Sequence, residues 1–155
     1  VLRQRQNAGT IEATGLEVDG RYAVNDSLSL RGALSATDAR VDGGTAAAQL
    51  TGLRPAQAPI WSATAGLEWS PMDRLTLSAD ARWESRRFED DLNSRALEAA
   101  ATVDARVEWA VSPSATLWLA ADNLFGADVE VAETGTGVAS FGPLQTLRVG
   151  IRLAR

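Results

Sequence analysis

The sequence predicts an all-β chain: an antiparallel up-and-down meander of about seven strands that forms part of a transmembrane β-barrel. Three observations carry this. Apolar side chains recur at every second residue in seven separate runs, the period that sends successive side chains to opposite faces of an extended strand. The connections between the runs alternate between short and long. Aromatic residues stand at both ends of the apolar face, as in outer-membrane barrels, whose lipid-facing band is bordered by aromatic girdles.

The first run sets Leu16, Val18, Gly20 and Tyr22 against Glu17, Asp19 and Arg21, in a strand near 10–23. The second sets Leu28, Leu30, Gly32 and Leu34 against Ser29, Arg31 and Ser35, near 27–41. Trp61, Ala63, Ala65, Leu67 and Trp69 mark a third strand near 60–70. Leu75, Leu77, Ala79, Ala81 and Trp83 mark a fourth near 74–88, whose other face carries Thr76, Ser78, Asp80, Arg82 and Glu84. Val103, Ala105, Val107 and Trp109 alternate with Thr102, Asp104, Arg106 and Glu108 near 97–110. Leu117, Leu119 and Ala121 place a sixth strand near 115–125, and Leu147, Val149, Ile151 and Leu153 a seventh near 144–154.

Turn-forming residues at Asn25-Asp26, Ser70-Pro71-Met72-Asp73 and Ser112-Pro113-Ser114 join the strands in pairs as tight hairpins. Between the hairpins lie the long segments 42–59, 89–96 and 126–143, in which Gly43-Gly44 and Gly135-Thr136-Gly137 read as mobile surface loops. Short turns of such barrels are periplasmic, so the last strand runs downward and ends in the periplasm. Tyr22, Trp69 and Trp109 then form a girdle at the short-turn end, and Trp61 and Trp83 one at the long-loop end. From Trp61 to Trp69 a strand covers about 26 Å, or about 20 Å across a membrane when tilted near 40°, close to the height of the apolar band.

Composition excludes more than it identifies. The chain holds 155 residues with no cysteine and no histidine, which removes thiol chemistry, disulfides, His-based triads and the commonest transition-metal sites. No run approaches the length of a membrane-spanning helix, and Val1–Gln6 lacks the apolar segment of a signal peptide. All 15 basic residues are arginine and the net charge is −5, which argues against nucleic acid as a partner. Carboxylates such as Asp90-Asp91 or Asp80 with Glu84 are interleaved with arginine along the strands, the pattern of a solvated wall rather than of an acid–base pair or a calcium site. No catalytic residue, cofactor or metal is expected.

Turn positions and face parity also predict registers. Centring the second hairpin on Met72 places Trp61 opposite Trp83, Ala63 opposite Ala81 and Ala65 opposite Ala79. Between the fourth and fifth strands, Asp104 opposite Arg82 and Arg106 opposite Asp80 give a ladder of alternating charge, which cross-strand electrostatics favours over like-charge pairing.

Four motifs, in order along nearly the whole chain, resemble the C-terminal barrel segment of TonB-dependent receptors. Gly15-Leu16-Glu17-Val18 leading to Thr37-Asp38-Ala39 is similar to the family's Gly-hydrophobic-Glu run and its "tDa" ending. Gly52-Leu53-Arg54-Pro55-Ala56-Gln57-Ala58-Pro59 resembles the proline-marked entry into the next downward strand, and Asn123-Leu124-Phe125 resembles the "NLF" motif of the penultimate strand. Gly142-Pro143-Leu144-Gln145 is similar to the entry of the last strand, although no arginine follows the proline. A further departure is Arg155, which stands where the family usually ends in an aromatic residue read by the barrel-assembly machinery.

The resemblance implies a barrel of about 22 strands with an N-terminal plug, of which residues 1–155 are the C-terminal portion; the plug and the preceding strands are absent from these residues. It implies import of a scarce ligand (a ferric siderophore, cobalamin or a carbohydrate) across the outer membrane, with energy delivered by the TonB complex through the plug, and outer-membrane lipid as the surrounding solvent. On this reading the ligand-facing residues are Arg82, Glu84 and Arg86, on the polar face toward the long-loop end. Asn123 stabilises a bend at Gly126 rather than touching ligand. A passive porin or autotransporter barrel, and a soluble β-sandwich binding module, share the strand alternation and are the alternatives.

Overall fold

The computed structural model of the protein describes residues 9–154; the opening segment Val1–Gln6 and the terminal Arg155, both weighed above, lie outside the described residues. The strands in chain order are β1 (Thr10–Asn25), β2 (Leu28–Asp42), β3 (Trp61–Met72), β4 (Leu75–Glu84), β5 (Arg87–Phe88), β6 (Ala96–Leu97), β7 (Ala100–Ser112), β8 (Ala115–Asp122), β9 (Glu130–Glu133), β10 (Ala139–Phe141) and β11 (Thr146–Leu153). Seven of them form one antiparallel meander in the order β1-β2-β3-β4-β7-β8-β11, as the alternation predicts. The other four make two small hairpins within the long connections, β5 with β6 and β9 with β10. The loops expected to be mobile are thus structured in part: Gly135 and Gly137 belong to the tip of the β9–β10 hairpin, where Gly137 donates to the Thr134 carbonyl at 3.0 Å.

The three tight hairpins share one construction. Each turn has two residues, Asp26-Ser27, Asp73-Arg74 and Pro113-Ser114, and each is preceded by one extra residue in the upstream strand, a bulge between Ala23 and Asn25, Trp69 and Met72, or Ala110 and Ser112. In the first, the Asn25 side-chain oxygen accepts the backbone N–H groups of Ser27 and Leu28 at 2.9 Å each, the local bonding that suits Asn to turns. In the second, the turn falls later than Met72 and the bulge adds a residue. The predicted register is therefore off by two: Trp83 lies opposite Ala63, Ala81 opposite Ala65, and Trp61 opposite Ala36 of β2. A slip of two keeps every side chain on its own face, so Trp61 and Trp83 still share the apolar one.

The charge ladder between β4 and β7 also differs from expectation. Asp80 stands opposite Asp104, Ser78 opposite Arg106 and Arg82 opposite Thr102. The like-charge pair is tolerated because each carboxylate is satisfied elsewhere. Asp80 pairs with Arg31 two strands away, and Asp104 accepts the backbone N–H of Asn123 at 2.8 Å. The Arg31–Asp80 reach is open because the intervening residue is Gly66, where an added Cβ would stand 2.5 Å from Arg31 Nε and 2.7 Å from Asp80 Oδ1.

Among the described residues there is no hydrophobic core of the usual kind. Among the described residues the buried apolar side chains are Ala47, Leu97, Ala120 and Ala121. Leu16, Val18, Tyr22, Leu34, Trp69, Trp109, Leu119 and Val149 are exposed instead, all on one face of the sheet. Among the described residues no second sheet packs on that face, unlike in a sandwich; its rows of Ala and Gly suit lipid chains rather than a core at native density. Among the described residues no helix is long and apolar enough to cross a membrane, which says nothing of crossing by strands.

Candidate functional site

The polar face carries the chemistry, and toward the short turns β7, β8 and β11 share a small charged network. Glu108 pairs with Arg106 and with Arg152 of β11, each at 2.6 Å, and the Arg106 guanidinium lies 4.5 Å from the centroid of the Trp118 ring. Trp118 projects to the polar face and lies over Gly150, where a Cβ would come within 2.6 Å of Trp118 Cε2. Farther along the sheet, Arg148 pairs with Asp122 at 2.6 Å. Glu108, Arg106 and Arg152 thus neutralise one another in part, and Asp122 is paired where β8 approaches the loops.

At the long-loop end the same face opens into a pocket of 370 Å³. Arg82 and Glu84 of β4 line it, as their parity predicts, with Asp104 of β7, Asp122 at the end of β8, and Asn123. The third predicted residue, Arg86, is placed elsewhere. β4 stops at Glu84, so alternation does not extend to Arg86, whose guanidinium instead stacks 5.6 Å from the Phe88 ring centroid. Arg87 lines the pocket in its stead. The signal for this break is present in the sequence: the apolar series 75, 77, 79, 81, 83 ends there, since Ser85 and Arg87 are polar.

Arg87 is 8% exposed and knits the loops together. Its Nε donates to Gln57 Oε1 at 2.9 Å, its Nη2 to the Glu130 carbonyl at 3.1 Å, and its Nη1 lies 3.5 Å from Glu84 Oε2 without a hydrogen-bond partner. Gln57, at φ 59, donates further to Glu89 and to the Val131 carbonyl, and its backbone N–H reaches the Phe88 carbonyl at 2.7 Å. Asn93 clasps the backbone of Arg54, accepting its N–H at 2.9 Å and donating to its carbonyl at 2.8 Å. All three long segments therefore meet at Gln57 and Arg87, beside the pocket. Nothing in the residue pattern marks the bonds of Gln57 to Arg87 or of Asn93 to Arg54, because these partners lie 30 and 39 positions away.

Asn123 forms the edge of the pocket where β8 ends. It is 6% exposed, at φ 48, and its side chain accepts the Ala127 N–H at 2.9 Å while donating to the Ala127 carbonyl at 2.8 Å and the Pro143 carbonyl at 3.3 Å. Leu124 donates its N–H to the Val103 carbonyl at 2.7 Å, and Gly126 turns the chain at φ 65. Phe125 is exposed. Asparagine tolerates the left-handed region better than most residues, and here its amide also completes the loop's backbone bonding.

In the loop, burial raises the Asp90 carboxyl, but the backbone N–H of Arg95, the Ser94 hydroxyl, the Arg95 charge and the backbone N–H of Ser94 together hold it below its ordinary value. No group of three or more metal-ligating side chains occurs among the described residues. The five predicted girdle residues, Tyr22, Trp61, Trp69, Trp83 and Trp109, are all exposed on the apolar face, the first, third and fifth near the short turns and the other two near the loops.

The family described as TonB dependent receptor-like, beta-barrel, matches residues 2–124. A comparison with curated proteins finds no match. Among solved structures, the siderophore receptor PiuA of Acinetobacter baumannii aligns over 92% of this chain and 22% of its own, at 16% identity and TM-score 0.81. The ferric yersiniabactin uptake receptor FyuA of Yersinia pestis aligns over 95% and 24%, at 18% identity and TM-score 0.82. The ferric-catecholate import receptor Fiu of E. coli K12 aligns over 94% and 21%, at 16% identity and TM-score 0.74. The chain thus spans about a fifth to a quarter of the length of these receptors, and the likeness is one of fold. Receptors of this family are transport proteins of the outer membrane, not enzymes, and the seven-stranded sheet, with one face apolar and uncovered and the other polar, belongs to the TonB-dependent receptor β-barrel family.

Proposed function

We propose that residues 1–155 are the C-terminal portion of a receptor barrel of about 22 strands that imports a ferric siderophore. Energy comes from the TonB complex acting through a plug encoded outside these residues. The observation that carries the reading is the two-faced sheet itself. An uncovered apolar face edged by Trp61, Trp83, Trp69 and Trp109 suits outer-membrane lipid, and the opposite face is a charged wall with a pocket at its loop end. The siderophore receptors among its structural neighbours support the ligand class. Folding into the membrane calls on the barrel-assembly machinery.

Arg82 and Glu84 in the pocket, with Arg86 on the exposed segment that follows, stand on the path of an incoming ligand. The test is uptake of radioactive iron from ferric chelates by cells expressing the full-length receptor, with and without TonB. Uptake that requires both receptor and TonB supports the reading, and uptake indifferent to TonB favours a passive pore. Arg82→Ala and Arg86→Ala are compared with Arg106→Ala on the lower wall; equal uptake by all three removes the upper wall of this strand from recognition.

A further inference from the structure

Surface loops are ordinarily the most mobile part of a chain. Here the three long connections, residues 43–60, 85–99 and 123–145, are tied to one another. The β5–β6 and β9–β10 hairpins share no ladder, and among the described residues one backbone–backbone hydrogen bond, Gln57 N–H to the Phe88 carbonyl, joins different connections. Side chains make the other ties. Arg87, Arg95 and Gln57 donate to the carbonyls of Glu130, Glu133 and Val131 at 3.1, 3.1 and 3.3 Å, and Glu130 Oε2 accepts the Glu98 N–H at 3.2 Å. The first and second connections are joined by the Asn93 clasp on Arg54 and by the Ala56 N–H, which Asp91 accepts at 3.4 Å.

Arg87, itself in the second connection, is the node of this network. Its Nε is held by Gln57 of the first connection and its Nη2 by the Glu130 carbonyl of the third, while Nη1 lies 3.5 Å from Glu84 at the end of β4. One cation, 8% exposed, therefore touches the barrel wall and both other connections at once. When any one of them leaves, water reaches the node and competes for the bonds that remain, so the next separates at lower cost. Bonds shared in this way make opening a property of the group rather than of each loop.

We infer that the three connections form a single cooperative unit, which opens as a whole and separately from the sheet, and that Arg87 is the residue that couples its parts. They act as one sector of the barrel mouth rather than as three independent lids. The inference concerns the loops alone and holds whatever the cargo. Asn93 supplies an informative second site, since its side chain touches nothing in the third connection. It stands at φ 55, a conformation that glycine adopts freely, so Asn93→Gly removes the amide without straining the backbone.

The test is amide hydrogen exchange, read by mass spectrometry on the full-length receptor in bilayers, with peptides covering 52–58, 89–98 and 129–135. Arg87→Ala accelerates exchange in all three by a common factor of about tenfold or more, the loss appropriate to one charge-assisted bond. Arg87→Lys, which keeps the charge and loses the fork, does so by a smaller factor. Asn93→Gly also accelerates all three, including the distant 129–135. Peptides covering 16–24 of β1 and 76–82 of β4 keep wild-type rates in every variant. Acceleration by Asn93→Gly that stops at the first two connections overturns the unit, as do unequal factors in the three peptides of Arg87→Ala. Acceleration that spreads to 76–82 overturns it as well, because the connections would then not open apart from the sheet.

Discussion

Replacing Asn123 by alanine removes three hydrogen bonds at one stroke: Ala127 N–H to Oδ1, and Nδ2 to the carbonyls of Ala127 and Pro143. The residue is 6% exposed, so water does not readily replace them. At about 0.5–1.5 kcal/mol net per bond, and with the longest, at 3.3 Å, near the low end, the loss is about 2–4 kcal/mol. The backbone adds a further term, since φ is 48 and alanine holds a left-handed conformation at a cost of about 1 kcal/mol relative to glycine. Asn123→Gly should therefore be milder than Asn123→Ala by about that amount. The assay is hydrogen exchange in the full-length receptor, read on peptides covering 124–145. Every 1.4 kcal/mol is tenfold in an opening equilibrium, so with both contributions, about 3–5 kcal/mol, exchange at Ala127 should accelerate by about a hundredfold to a few thousandfold in Asn123→Ala, with residues 105–110 unchanged. Wild-type exchange rates in the alanine variant would refute the claim that this amide holds the end of β8 to the loop.

Three further outcomes follow from the same geometry. Gly66→Ala places a methyl against Arg31 and Asp80; because that pair is half exposed, its loss should cost under about 1 kcal/mol, and a double-mutant cycle with Arg31→Ala should show the two changes to be non-additive. Gly150→Ala pushes into the Trp118 ring and should destabilise by about 1–3 kcal/mol; Trp118→Ala in the same chain should relieve it, which melting of the double variant checks. The Asp90 turn, in which Ser94 and Arg95 donate backbone N–H groups to Oδ1 at 3.0 and 2.8 Å, should be pH-dependent. Its carboxyl is lowered in the folded loop, so the turn's contribution is fully present above the ordinary value of 3.8 and is lost as pH falls through the lowered one. Protection of the Ser94 and Arg95 amides, taken as exchange relative to the intrinsic rate at each pH, should therefore be steady across neutral pH and fall only in strong acid, a fall that Asp90→Asn abolishes.

The meander was legible because alternation is a local property: Leu75 to Trp83 declares its faces without reference to any other strand. Registers were not, because they depend on a single bulge residue at each turn, and Trp69 to Met72 reads no differently from an unbulged strand end. The charge ladder failed for a related reason. Pairing Asp80 with a neighbour on the adjacent strand ignores that Gly66 opens a path to Arg31 two strands away. At the pocket, Arg82 and Glu84 followed from parity, whereas Arg87 did not, because parity holds only while the strand lasts and β4 ends at Glu84. The bonds of Gln57 to Arg87 and of Asn93 to Arg54 were hidden by distance along the chain, these partners being 30 and 39 residues away.

The central claim is that the two faces of this sheet meet different solvents, lipid on one and water on the other. Spin labels placed singly on β4 of the full-length receptor in bilayers, at Leu77, Ser78, Ala79, Asp80, Ala81 and Arg82, test it directly through their accessibility to oxygen and to a water-soluble nickel complex. The account predicts strict alternation, with labels at 77, 79 and 81 reached by oxygen and those at 78, 80 and 82 by nickel. Uniform accessibility along the strand, or alternation in the opposite phase, would contradict it.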